Sequence, residues 1–550
     1  MPGHMIHTAL RVGIESVRQC RQRLRLANGC HCKTRLLLAT ILVTIVSLST
    51  SVWADELAYD SYEIDIGADA EVLFLFSGPF TGQDVDDLLV VTMPVETDQA
   101  STSEGSKETR HLAIYSHEDS AISSVISIEI SPRLMDTWRF KDGVALVSAH
   151  SRGIDKFDPS SETFLPWLEI GGQDSQPGPT EPEFLFNFSR ELNGDGLDDI
   201  VYVVDESLVV MVQLPDGSFS EPHVLSTDPE VDLRIGYQLD SPQTVWKAAM
   251  FGEAAGAPQY TLYAFDFGGD GVGDLAFPFC NQSGSEIEYD EEQSAIQGSV
   301  QMSKVCDLRI HRGLRDGGWT ADPASVHALT SSLEEGMPIR PFEAQDFNGD
   351  GIGDVATFGL DYPPLSHMSF FFGRREDGDT VFGETADTSI AMKGWLVMLT
   401  ELSDLDGDGD VDYCAVPMEF GTGQAAAGLF SRSTQVTLSC YLLTEGVYPT
   451  EPSFQLNKRR QPNVPSPDTL GDVTGDGILD FVVSTQKNRL EVFAGTGDAD
   501  LFVTKPTMIN LDLPAYGETI LLRDLNRDGK ADMLVHPLGS GNPVWVALSR

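Results

Sequence analysis

Six times between Glu191 and Asp532 the chain repeats one nine-residue pattern. An acid is followed by any residue, an Asn or Asp, Gly, Asp, Gly, two free positions and a final Asp. The copies read ELNGDGLDD from Glu191, DFGGDGVGD from Asp266, DFNGDGIGD from Asp346, DLDGDGDVD from Asp404, DVTGDGILD from Asp472 and DLNRDGKAD from Asp524, and an apolar run follows each. The starts lie 75, 80, 58, 68 and 52 residues apart. Self-similarity on this scale implies an array of like units, each burying an apolar face against the next.

The spacing suits a bound cation. In a tightly turned loop, oxygens at positions 1, 3, 5, 7 and 9 converge on one point, with position 7 supplying its backbone carbonyl and Gly at position 6 permitting the turn. The candidate ligands of the first loop are Glu191, Asn193, Asp195, the Leu197 carbonyl and Asp199. Those of the second are Asp266, Asp270, the Val272 carbonyl and Asp274, and those of the third Asp346, Asn348, Asp350, the Ile352 carbonyl and Asp354. The fourth offers Asp404, Asp406, Asp408, the Asp410 carbonyl and Asp412. The fifth offers Asp472, Thr474, Asp476, the Ile478 carbonyl and Asp480, and the sixth Asp524, Asn526, Asp528, the Lys530 carbonyl and Asp532. Hard, partly anionic oxygens favour Ca2+, up to about six ions, and no His or Cys stands where a transition metal needs one. An EF-hand opens in the same way but needs a bidentate Glu at position 12. Here that position holds Tyr202, Phe277, Thr357, Ala415, Val483 or Val535.

The residues after position 9 are rich in Val, Ile and Phe, which is strand character, so each loop joins strand to strand. Around Glu191 the chain reads as four short strands: FLFNFS, DIVYVV, LVVMVQL and a last one from Phe219 to Leu225. One such sheet leaves both faces bare; radial stacking covers them. A worn copy, FTGQDVDDLLVV, begins at Phe80, and WRFKDGVALVSAHSRGIDKFD from Trp138 reads as a unit that has lost the acidic loop. The expected fold is an all-β propeller of seven four-stranded blades, or eight with the Trp138 unit counted, spanning residues 55–550.

These units resemble the FG-GAP/VCBS repeat of integrin α-subunit propellers and many exported bacterial proteins. The resemblance covers most of residues 57–550. It implies calcium in the loop between the first and second strand of a blade, with a ligand surface usually at the opposite end. Three positions depart from the family pattern: Glu191 at position 1, and Gly268 and Thr474 at position 3. The Gly268 loop is expected to be the weakest. The copy at Phe80 has Pro79 at position 1 and is expected to bind nothing.

Four cysteines follow residue 54. Cys280 ends the second strand of its blade and Cys306 starts the third, whereas Cys414 starts a second strand and Cys440 ends the third. In antiparallel neighbours an end meets a start, so within-blade disulfides Cys280–Cys306 and Cys414–Cys440 are expected, with four buried thiols as the alternative.

The full chain carries 36 basic and 84 acidic residues, a net charge of −48. Such a surface repels nucleic acid and anionic membrane, so neither is an expected partner. Charge has the opposite sign at the N-terminus: seven basic residues and one acid precede the apolar run Leu36 to Val52 and the small residue Ala54. That order is the one of a secretory signal peptide over residues 1–54, with an uncleaved anchor as the alternative and no other membrane contact expected. The expected location is secreted, periplasmic or at the cell surface, as a monomeric propeller.

Long insertions from Val95, Gln282 and Met418 fall between second and third strands, at the end away from the acidic loops, where recognition is expected. QPGPTEPE near Gln176 reads as a linker between blades. No GxSxG, HExxH or phosphate-cradling loop occurs. Leu308-Arg309-Ile310-His311-Arg312 puts Arg and His on one strand, but a buried, hydrogen-bonded His is the simpler reading. The scattered Trp residues fit a core role as well as sugar stacking. The expected function is a non-catalytic binding or adhesion module for a protein or glycan. The alternatives are a polysaccharide lyase and a structural part of an envelope assembly.

Overall fold

The apolar runs bury both of their faces, and that requirement dictates the architecture. The computed structural model describes residues 57–550 apart from short breaks and the stretches 95–109, 170–188, 226–262, 281–305, 330–338, 419–433 and 462–468. Every regular element among the described residues is a β-strand, and no helix there is long and apolar enough to cross a membrane. The leader segment 1–54, the three insertions and the linker near Gln176 lie outside the described residues.

The strands form eight four-stranded antiparallel sheets. Blade 1 comprises Ala70–Gly78, Asp87–Pro94, Arg110–Glu118 and Ala121–Ile130, and blade 2 Leu134–Phe140, Gly143–His150, Gly153–Asp158 and Thr163–Glu169. Blade 3 comprises Ser189–Arg190, Asp199–Val204, Ser207–Met211 and His223–Leu225, and blade 4 Tyr263–Phe265, Asp274–Cys280, Cys306–His311 and Ser325–Leu329. Blade 5 comprises Ile339–Gln345, Asp354–Asp361, Leu365–Phe371 and Thr388–Lys393, and blade 6 Leu396–Ser403, Asp412–Met418, Thr434–Tyr441 and Phe454–Arg460. Blade 7 comprises Thr469–Gly471, Asp480–Gln486, Arg489–Phe493 and Thr507–Asn510. The Trp138 unit is therefore a blade in its own right, and the count is eight.

Blade 8 differs in how it is assembled. Gly517–Arg523, Asp532–Pro537 and Val544–Ser549 supply three strands, and the fourth comes from the other end of the chain, Tyr59–Ile64. It runs antiparallel to Val544–Ser549, from Tyr59 opposite Ser549 to Ile64 opposite Val544. Tyr59 Oη donates to the Ala531 carbonyl at 3.0 Å, and Arg550 pairs with Asp60. The two chain ends thus close the ring within one sheet.

Period-two alternation sends successive side chains to opposite neighbours. Leu88 and Val90 of blade 1 pack with Val544 and Val546 of blade 8, while Leu89 and Val91 pack with Leu146 and Phe157 of blade 2. Trp138 and Val147 meet Ile200 of blade 3, Val201 and Val210 meet Leu275 and Phe277 of blade 4, and Leu308 meets Val355 and Phe371 of blade 5. Phe370 meets Tyr413 of blade 6, and Leu438 meets Phe481 and Phe493 of blade 7. Blades 7 and 8 are joined by Ala531 N donating to the Asp472 carbonyl at 2.7 Å. This arrangement explains why Asp480–Gln486 is buried along six successive residues instead of alternating with polar ones. Trp138, Trp319 and Trp545 are core residues.

The first strands of successive blades lie against one another, as Ser189–Arg190 does against Leu134–Phe140 and Tyr263–Phe265 against Ile339–Gln345, so they line the middle of the ring. Five of them carry an acid, and in two the acid is shifted upward. Burial pushes Glu343 and Glu401 above the ordinary carboxylate range. A folded pKa raised above the unfolded value contributes stability at low pH, and that contribution is lost as pH rises through the folded pKa. Replacing both with Gln is therefore expected to raise the melting temperature at pH 8 and to leave it nearly unchanged at pH 4. Thermal melts of the double variant across that range read the difference.

The cysteines follow the register. Cys414 lies opposite Cys440 with Cα atoms 4.1 Å apart, and the two form a disulfide. Cys280 stands directly opposite Cys306 in blade 4.

Candidate metal centres

All six acidic loops fold alike, each linking the first and second strands of its blade. In blade 5, Asp346 at position 1 accepts Asp350 N on Oδ1 at 3.1 Å and Gly351 N on Oδ2 at 2.8 Å. Asn348 Oδ1 also accepts Asp350 N, at 3.0 Å, and Asp350 Oδ1 accepts Ile352 N, at 2.9 Å. Each side chain thus turns back onto the amide two or more residues ahead, which curls the backbone around the acids. Position 6 has positive φ in every loop, +81° at Gly351 and +83° at Gly196, a conformation in which a side chain would be strained.

Position 9 has a further role. Asp199, Asp274, Asp354, Asp412, Asp480 and Asp532 are all buried. Asp354 accepts Phe347 N on Oδ2 at 2.9 Å and Gly373 N, just beyond the third strand, on Oδ1 at 2.8 Å. Asp412 does the same with Leu405 N and Leu443 N, and Asp532 with Leu525 N and Ser549 N. The carboxylate therefore pins the start of the loop to the end of strand three. Burial, only partly offset by these amides, pushes Asp199, Asp354 and Asp412 up to about 7.

Two features of the loops bear on a divalent ion. In blade 6, Asp404, Asp406 and Asp412 each offer an oxygen, and the three lie within 4.8 Å of one another. Burial and the neighbouring Asp408 push Asp406 and Asp410 upward, as expected of acids held together without a counter-charge. In blade 3, Glu191 Oε1 accepts the amides of Asn193, Gly194 and Asp195, while Oε2 is buried with no hydrogen-bond partner. A buried anionic oxygen without a donor is costly, and a cation would satisfy it. Among the described residues only the blade 6 loop gathers three acidic oxygens so closely, while the loops of blades 3, 5, 7 and 8 offer a hard oxygen at each of the same positions. Blade 4 differs, because Gly268 brings no donor to position 3. In blade 7 Thr474 Oγ1 is turned toward Asp480 Oδ1 at 3.5 Å. In the worn loop of blade 1, Asp87 Oδ2 accepts Thr81 N and Thr81 Oγ1, while its buried Oδ1 has no hydrogen-bond partner, so the bond to strand three is missing.

Successive loops are also tied to each other. In two seams the amide at position 8 donates to position 2 of the preceding loop, Gly353 N to Phe267 O at 3.3 Å and Val411 N to Phe347 O at 2.7 Å, whereas Ala531 N reaches position 1, the Asp472 carbonyl. The seam between blades 8 and 1 repeats the position 2 bond with Asp86 N to Leu525 O at 3.0 Å. These bonds and the double role of position 9 leave no trace in a ligand pattern. A subtler trace is the glycine that ends HRG, FFG and FAG after strand three. A Cβ at Gly313, Gly373 or Gly495 would lie 2.2, 2.3 or 2.4 Å from the position 8 carbonyl. Blade 6 has Leu443 at this place, so the demand arises from local closeness and not from the fold as such. Gly373→Ala is expected to cost about 2 kcal/mol through overpacking, read as a lower urea midpoint at unchanged m.

His311 is buried, its Nδ1 2.7 Å from the Thr320 carbonyl and its ring stacked on Phe277 at 5.1 Å between centroids. Arg312 instead pairs with Asp379. Burial, and secondarily the Arg309 guanidinium two residues earlier on the same strand, hold the His311 imidazole below its ordinary range.

The family model of the FG-GAP-like repeat matches residues 472–535, from the acidic loop of blade 7 into the second strand of blade 8. The chain thus carries an FG-GAP-like repeat within an eight-bladed β-propeller. No curated protein matches it. Among solved structures it is similar to an Agrocybe aegerita lectin described as recognising non-reducing terminal N-acetylglucosamine, at 14% identity, covering 73% of this chain and 80% of that one with a TM-score of 0.34. It is also similar to an exotype rhamnogalacturonan lyase, at 13% identity over 75% of this chain and 66% of that one, TM-score 0.27. A third is a putative 6-phosphogluconolactonase from Bacteroides fragilis, at 13% identity over 75% and 94%, TM-score 0.31. Likeness this distant carries no argument about activity.

Proposed function

We propose that this chain is an exported, calcium-loaded β-propeller that acts as a non-catalytic binding or adhesion module for a protein or glycan. The observation that carries the metal reading is the blade 6 cluster, three acids whose oxygens gather within 4.8 Å in a loop geometry repeated around the ring. Asp404, Asp406, Asp408, the Asp410 carbonyl and Asp412 would hold the ion there, and it would supply the counter-charge that lets the acids stay ionised. Export is supported by the leader-like segment 1–54 and by the disulfide Cys414–Cys440.

A binding role is supported by what the buried acids and His311 already do. The acids and the His311 Nδ1 are bonded to backbone groups that hold loops and strands together. The strand ends that bracket residues 95–109, 281–305 and 419–433 face away from the acidic loops, so a rigid platform carries these insertions. A glycan array and a surface-protein pull-down, each run in millimolar calcium and again in chelator, test the reading. Calcium-dependent capture is expected. New unsaturated sugar ends appearing on polyanionic polysaccharides would replace it with a lyase.

A further inference from the structure

Blade 8 draws on both chain ends, and its acidic loop is joined to that closure through Ser549. In blades 3 to 7 the residue at the end of strand three gives position 9 a backbone amide and carries no hydroxyl. It is Gln213, Gly313, Gly373, Leu443 or Gly495. In blade 8 it is Ser549, whose amide reaches Asp532 Oδ1 at 2.6 Å. Its buried Oγ lies 2.8 Å from the same Asp532 oxygen and 2.9 Å from Asp528 Oδ2. Asn526 Nδ2 donates to that Oγ at 3.3 Å and to the Ser549 carbonyl at 3.0 Å. Positions 3, 5 and 9 of one loop thus meet on one hydroxyl. A hydroxyl has a single proton and donates to one carboxylate at a time. Its place between the two sets the separation of positions 5 and 9 from outside the loop.

Ser549 is also where the N-terminal strand begins to pair. Tyr59 stands directly opposite it, and Tyr59 Oη donates at 3.0 Å to the carbonyl of Ala531, position 8 of the same loop. Burial pushes the Tyr59 hydroxyl upward, and the nearby charges of Asp532 and Asp528 push it the same way. One residue further on, Arg550 pairs with Asp60, and the Arg550 carbonyl accepts Nζ of Lys530, position 7, at 2.8 Å. The strand Tyr59–Ile64 therefore touches the loop directly at Tyr59 and indirectly through Ser549 and Arg550.

We propose that Ser549 is a positioning residue for the blade 8 loop, and that through it a cation in that loop is coupled to docking of the strand that closes the ring. This rests on the metal reading of the loop. Coupling of this kind is reciprocal, so an ion that holds the loop also holds the strand. The test is amide hydrogen exchange of Tyr59–Ile64 in the whole protein, read by mass spectrometry in millimolar calcium and again in chelator. Calcium is expected to slow exchange of that strand about tenfold in the unaltered protein, the scale of one hydrogen bond to a charged group. Ser549→Ala keeps the amide bond to Asp532 and is expected to lose most of this slowing, while Asp354–Asp361 of blade 5 keeps its own. Ser549→Thr retains the hydroxyl and is expected to behave as the unaltered protein. Full calcium slowing of Tyr59–Ile64 in Ser549→Ala would overturn the proposal, as would a loss of slowing shared equally by blade 5. Calcium that slows no strand in any of the three proteins would overturn the metal reading, and the proposal with it, a result distinct from the other two.

Discussion

Chelating divalent cations is expected to lower the melting temperature by about 13 °C relative to protein in millimolar calcium. The physical cause is the crowding of acids. Without a counter-ion, Asp404, Asp406 and Asp412 hold their oxygens within 4.8 Å, and burial with the neighbouring Asp408 pushes Asp406 upward. An ion that binds the folded loop and not the unfolded chain stabilises by mass action, by about 2.7 kcal/mol per site at a hundredfold excess over Kd. Five loops together contribute ~13 kcal/mol on that basis. A propeller of this size unfolds with an entropy on the order of 1 kcal/mol per kelvin, which converts the sum into the stated shift. Sodium chloride at matched ionic strength is expected to recover little of it, because screening does not supply directed coordination. Magnesium is expected to be the poorer substitute, since it demands a tighter octahedral shell. Superimposable melts in calcium and in chelator would sink the metal reading.

The acidic loop was the most legible part of this chain, because its geometry depends on residues close in sequence. Six copies at fixed internal spacing located six of the eight blades, and the apolar runs marked the second strands. The Trp138 unit was harder to read, since a two-residue turn replaces the loop and only strand alternation remains. The ring closure was not legible. Nothing in Tyr59–Ile64 distinguishes a strand that pairs with its own blade from one that pairs with Val544–Ser549, at the opposite end of the chain. The site was legible in composition and not in division of labour. Position 9 reads as a fifth ligand, yet its burial and its bonds to two backbone amides come from the third strand, which lies a variable distance away, 14 residues in blade 3 and 39 in blade 4.

That division of labour can be separated by two substitutions in one loop. Asp350→Ala removes an exposed acid whose structural duty is a single bond to Ile352 N, so in chelator it is expected to cost less than ~1 kcal/mol. In calcium it loses one ion and costs ~3 kcal/mol more at the same saturation. Asp354→Ala removes a buried carboxylate and leaves Phe347 N and Gly373 N without acceptors. Two buried amides left unpaired cost roughly 3–5 kcal/mol together, reduced somewhat because an acid whose pKa is pushed up to about 7 no longer has to be kept ionised in the interior. That loss does not depend on the ion, so it is expected in chelator as well as in calcium. Urea melts of both variants in both conditions form a square. A loss for Asp350→Ala that disappears in chelator, beside a loss for Asp354→Ala that persists, assigns coordination to position 5 and the pinning of strand three to position 9. If Asp354→Ala also became harmless in chelator, position 9 would be a ligand and nothing more, and the third strand would be held by its sheet bonds alone.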